Sequence, residues 1–110
     1  MDCINEVAAV AYHEARASEE GMKAVVHVIM NRANQSGVST CKIVRQPKQF
    51  MANGPIKEPK RLELAKQIVT HPGPDITKGA TYFHNGTVRP YWIKHMTITF
   101  RFGGHIYYKV

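Results

Sequence analysis

The sequence predicts an α+β domain, a helical body with a small antiparallel sheet at one side, and two observations carry that prediction. Through residue 70 the apolar residues recur at helical spacing. After residue 80 they alternate, and a Gly-Gly pair separates two alternating runs. A chain of 110 residues, 44% of them hydrophobic, has material for one core, so a single domain is expected over residues 1–110.

The first helix carries Ile4, Val7, Ala8, Ala11, Tyr12 and Ala15 on one face. Glu14 lies at the border of that face, near the helix end. Ser18 is placed to cap a second helix, with Glu19 and Glu20 at its positive N-terminal end. That helix runs through Met22, Val25, Val26, Ile29, Met30 and Ala33. Ala24 and Val28 widen its apolar surface until only Lys23, His27 and Asn31 form a polar stripe, so it is expected to be the buried central helix.

Ser39-Thr40 is expected to cap a short helical turn carrying Ile43 and Val44 and ended by Pro47. A loop through Gln49-Phe50 and Gly54-Pro55 follows. Glu58-Pro59 starts a third long helix with Leu62, Leu64, Ala65, Ile68 and Val69 as its apolar residues, closed by His71-Pro72-Gly73-Pro74. A short strand is expected over residues 80–83, with a turn at His84-Asn85-Gly86. Residues 96–102 and 105–110 read as a hairpin about Gly103-Gly104.

Lys and Arg number 15 against 8 Asp and Glu, a formal net charge of +7. Such a surface favours anionic partners: nucleic acid, lipid headgroups or cell-envelope polymer. No apolar run is long enough to span a bilayer. The N-terminus lacks the basic head and apolar stretch of a secretory signal, so the expectation is a chain made in a cytoplasm. On the same ground Cys3 and Cys41 are read as two buried free thiols rather than a disulfide.

No metal or other cofactor is expected. His13-Glu14 lacks the second histidine of a zinc-protease helix, and the six histidines show no ligand spacing. There is no phosphate-binding glycine loop and no serine nucleophile elbow. Of the eight acids, Glu58 and Glu63 read as solvated helix charges, and Glu19 and Glu20 are explained by the helix start. Glu6 points away from the apolar border. Glu14 alone combines helical rigidity with an apolar neighbourhood. A carboxyl group placed there suits a general acid, because desolvation favours its neutral form.

Glu14-Ala15-Arg16, the run from Glu20 to Arg32, Gln49-Phe50, the run from Gly79 to His84, and Gly104-His105-Ile106-Tyr107-Tyr108 together resemble the SleB-like cell wall hydrolases. That family includes spore cortex-lytic and phage-encoded muralytic enzymes. The resemblance implies a lysozyme-like fold. It implies cleavage between N-acetylmuramic acid and N-acetylglucosamine in the peptidoglycan glycan strand, in the manner of a lytic transglycosylase. Glu14 matches the family's catalytic glutamate: it would protonate the glycosidic oxygen, then help deprotonate the muramic acid 6-hydroxyl that attacks C1. Family members often read Glu-Ala-Arg-Gly-Glu here. This chain reads Glu14-Ala15-Arg16-Ala17-Ser18, without the later glutamate.

Substrate contacts are expected from Gln49, Phe50, Tyr82, His84, Trp92, His105 and Tyr107. Phe50 reads equally as a core residue, Trp92 as a core anchor, and His105 with Tyr107 as a sheet-surface pair. Tyr82 and His84 are expected to face the cleft and Phe83 the core. Arg16 is expected to point away from Glu14, because a tight pair would lower the carboxyl pKa.

The expected partners are peptidoglycan glycan strands and anionic cell-envelope polymers, with no nucleic acid and no membrane span, for a monomer. The expected setting is a phage endolysin or virion-associated enzyme acting on the wall or periplasm after release. A hydrolytic muramidase on the same fold is the first alternative. A non-enzymatic basic nucleic-acid-binding module is the second, although no DNA-reading motif is present.

Overall fold

Helices α1 (Ile4–Ala15), α2 (Glu19–Ser36), α3 (Thr40–Val44) and α4 (Pro59–Thr70) precede strands β1 (Tyr82–Asn85), β2 (Thr97–Phe102) and β3 (His105–Lys109) in a computed structural model of the chain. The described residues are 3–46, 50, 54–86 and 94–110.

Each helix start follows from its local sequence. The Ser18 side chain accepts from the Gly21 amide at 3.2 Å, and Ser39 accepts from the Lys42 amide at the same distance. Gly37, in the left-handed region at φ 68°, ends α2. Pro59 occupies the first turn of α4, where its missing N–H costs nothing.

The core lies where α1, α2 and α4 meet. Val7, Val10, Ala11, Met22, Val25, Val26, Ile29, Ala65 and Val69 are all buried there. As the narrow polar stripe of α2 predicts, that helix is buried on most sides. The stripe also has a use: it docks the segment from 71 to 80. The His27 ring bonds the Pro72 carbonyl at 3.1 Å, and the Asn31 amide donates to Asp75 at 2.8 Å and to the Ala80 carbonyl at 2.9 Å. Asp75 further accepts from the Thr77 amide and hydroxyl and from the Gly79 amide.

The sheet is antiparallel in the order β1-β3-β2. The turn residues Gly103 and Gly104 both have positive φ, 58° and 83°, as a two-residue hairpin requires. The first strand begins and ends two residues later than the alternation predicts. Thr81 already bonds Tyr108, and Gly86 still bonds Gly104, so pairing with β3 rather than local pattern sets its limits. One irregularity falls between Ile98 and Phe100.

The expectation of free thiols is wrong. Cys3 and Cys41 form a disulfide, with Cα atoms 5.4 Å apart. It joins the residue before α1 to α3 across a sequence separation of 38. The reading failed because it rested on redox compartment alone, whereas packing of α1 against α3 brings the two cysteines within bonding reach.

Candidate active site

The end of α1 and the start of α2 meet at a tight corner. A Cβ on Gly21 would come within 3.2 Å of the Ala15 Cβ, so the glycine permits the close approach. Beside this corner is a cleft of about 510 Å³. One wall is His13, Glu14 and Arg16; a second is Glu58; the third is the hairpin tip, with Phe102, Gly103 and His105.

Glu14 lies half-buried in this cleft. Two residues before it, Tyr12 turns inward and is fully buried, and its hydroxyl accepts from the Lys57 and Glu58 amides. That contact fixes the backbone that carries Glu58. The Arg16 Nε donates to Glu58 Oε2 at 2.7 Å, and its guanidinium sits 5.5 Å from the centre of the Tyr12 ring. Glu58 is therefore half-exposed, as a solvated charge would be, but it is also a cleft wall. The sequence alone offered no sign of this, since its partners lie 42 and 46 residues away.

The strand register divides the expected substrate residues. Phe83 pairs with Tyr107 and Phe102 with His105, so these four side chains share the sheet face turned toward the helices and the cleft. Tyr82 pairs with Tyr108 and His84 with Ile106 on the opposite face. Tyr82 and His84, expected to face the cleft, are not among the residues that line it with Glu14. Alternation does place them together, but nothing local reveals which face a strand turns inward.

Tyr82 instead packs against Arg32, whose guanidinium lies 4.4 Å from its ring centre. His84 donates from Nδ1 to the Asn85 carbonyl at 2.6 Å, which leaves Nε2 to accept from the Tyr108 hydroxyl at 2.7 Å.

Phe50 takes its core reading. It packs against the main core, 6.4 Å from Phe83 by ring centres and 5.1 Å from the Arg32 guanidinium. His105 lines the cleft, with its ring 5.1 Å from that of Phe83. Burial, with His84 nearby, lowers the pKa of its imidazole below the ordinary histidine range, so it is neutral at pH 7. Tyr107, expected as a sugar contact, is fully buried and packs against the His105 ring. Gln49 and Trp92 lie outside the described residues.

Two residues of the region went unnoticed in the sequence. Phe102 was legible in principle, because a two-residue turn at Gly103-Gly104 pairs it with His105. Arg32 was not: only the fold shows a cation buried between Phe50 and Tyr82 and donating to the Thr81 carbonyl at 3.0 Å. Among the described residues no cluster of three or more His, Cys, Asp or Glu could hold a metal ion. No helix among them is long and apolar enough to cross a membrane.

A family model described as cell wall hydrolase matches residues 16–108. The chain belongs to the cell wall hydrolase family. Such hydrolases degrade peptidoglycan, the polymer of the bacterial wall. The catalytic domain of the Bacillus cereus SleB protein is similar to this hydrolase in structure, with a TM-score of 0.79 and 26% sequence identity. The alignment covers 96% of this chain and 88% of that one. The likeness makes the fold lysozyme-like, as the sequence resemblance implies. No curated protein matches the hydrolase at a significant level. Glu14 itself stands two residues before the stretch that the family model covers.

Proposed function

We propose that the hydrolase is a peptidoglycan lytic transglycosylase with Glu14 as its general acid and base. The observation that carries this reading is the position of Glu14, half-buried at a rigid helix end in a cleft with an aromatic wall. A carboxyl group so placed is partly desolvated and is aimed at whatever fills the cleft. In the forward step Glu14 gives its proton to the glycosidic oxygen. It then takes the proton of the muramic acid 6-hydroxyl as that oxygen bonds to C1, and the product is a 1,6-anhydro sugar. Because the nucleophile comes from the substrate, one protein carboxylate suffices.

Phe102 and His105 are the proposed sugar contacts across the cleft from Glu14, and Gln49 and Trp92 remain proposed contacts from sequence. The net charge of +7 supports action directly on anionic wall polymer, as a released phage endolysin or a virion-borne enzyme would need.

A second reading has an observation of its own. Glu58 lines the same cleft as Glu14, and a muramidase that uses water needs a second carboxylate. The Arg16 bridge already engages Glu58 as an ion pair, which favours the first reading.

Digestion of purified peptidoglycan, with products read by mass spectrometry, separates the two. Anhydromuramic ends, lost in a folded Glu14→Gln variant, support the transglycosylase. Free reducing ends that need both Glu14 and Glu58 support the muramidase. No glycan cleavage by folded wild type rejects both.

A further inference from the structure

Tyr107 presents a hydroxyl that packing does not explain. Its ring is accounted for: Phe83 lies 5.5 Å away by ring centres, Phe100 5.6 Å and His105 6.1 Å, and α2 meets it with Ala24 and Val28. A phenylalanine would fill the same space. The hydroxyl is buried and has no hydrogen-bond partner among the described residues. Buried polar groups are nearly always paired, so an orphan one beside a cleft-lining residue points to a partner acquired in function.

Geometry points to that partner: Tyr107 shares its sheet face with His105, their rings 6.1 Å apart, and His105 lines the cleft together with Glu14. Burial first, and the Glu14 carboxylate second, push the Tyr107 phenol well above the ordinary tyrosine range. The phenol is therefore a permanent donor, and Glu14 is the carboxylate of the cleft that acts on it. We propose that Tyr107 is a positioning residue for Glu14: its hydroxyl donates a hydrogen bond to the carboxylate left when Glu14 gives up its proton. The inference rests on the glycan-cleaving reading above.

The step is a proton transfer with no redox change. The Glu14 proton moves to the glycosidic oxygen, the Tyr107 O–H turns to the new carboxylate, and it turns away again as Glu14 takes the proton of the attacking hydroxyl. Other charged or titratable groups face the same cleft: His13 from α1, Arg16 just after it, Glu58 ahead of α4, and His105 from β3. Arg16 is engaged by Glu58, and the His105 imidazole is neutral at pH 7. Tyr107 is thus the buried, neutral donor that the proposal assigns to Glu14.

A donor to a carboxylate favours the charged form and lowers its pKa. Tyr107→Phe removes the donor and keeps the ring, so the variant is expected to melt no lower than wild type. Two readouts follow. In glycan cleavage, kcat is expected to fall about tenfold with KM nearly unchanged, and the basic limb of the pH profile to move to higher pH, since Glu14 must be protonated to act. In the free protein, the Glu14 carboxyl carbon followed by NMR is expected to titrate at higher pH than in wild type.

A variant with the pH profile and the Glu14 titration of wild type overturns the proposal. If folded wild type cleaves no glycan, the enzymatic reading falls separately, and the NMR titration still decides whether Tyr107 acts on Glu14.

Discussion

The hydroxyl of Tyr12 accepts hydrogen bonds from two successive backbone amides, Lys57 at 3.0 Å and Glu58 at 2.9 Å. One buried side chain on α1 thereby anchors the segment that enters α4 and presents Glu58 to the cleft. Tyr12→Phe strands both amides. It is expected to cost about 1–3 kcal/mol, measured by urea unfolding, and to lower activity by loosening the Glu58 wall.

Glu14→Gln preserves shape and hydrogen-bonding capacity but carries no acidic proton. Circular dichroism and melting temperature are expected to stay near those of wild type. Glycan cleavage is expected to fall by about 10²–10⁴, the usual contribution of a general acid.

The Cys3–Cys41 bridge closes a loop with a sequence separation of 38. Its loss by Cys41→Ser, or by reduction, is expected to cost about 2–4 kcal/mol. For a chain of this size that lowers the melting temperature by about 10–20 °C, readable by calorimetry with and without a thiol reductant.

Asp75 gives a pH signature. Burial raises its pKa, but hydrogen bonds from Thr77, Asn31 and Gly79 outweigh that, and the folded pKa lies below the unfolded one. A depressed carboxylate contributes stability above its unfolded pKa, near 4, and loses it as pH falls through the folded value. Asp75→Asn turns an amide toward donors. It is expected to cost about 2–3 kcal/mol at pH 7 and progressively less below pH 4, in urea unfolding repeated across pH.

Phe102 lines the cleft beside the Phe100 ring, with 37% of its surface exposed. Phe102→Ala is expected to leave stability within about 0.5 kcal/mol. It is expected to raise KM for soluble glycan fragments about tenfold, equivalent to ~1.4 kcal/mol of lost contact. An unchanged KM removes Phe102 from the sugar contacts.

Helix periods, the Ser18 and Ser39 caps, the Pro59 start and the Gly103-Gly104 turn were all legible in the sequence, because each is local: the residues that cause it lie within one or two turns of it. Glu14 was legible for the same reason, as a carboxylate bordering an apolar helix face. What lay beyond local reach only the tertiary structure decided. The approach of α1 to α3 joins Cys3 to Cys41, and the burial of Tyr12 holds Glu58 where Arg16 can pair with it across the cleft. The register with β3 turns Phe83, His105 and Tyr107 inward and leaves Tyr82 and His84 on the far face. Alternation sorts a strand into two faces with equal ease, and the choice between them is made by the surface against which the sheet packs. Here that surface is α2, where Ala24 and Val28 leave room for the Tyr107 ring.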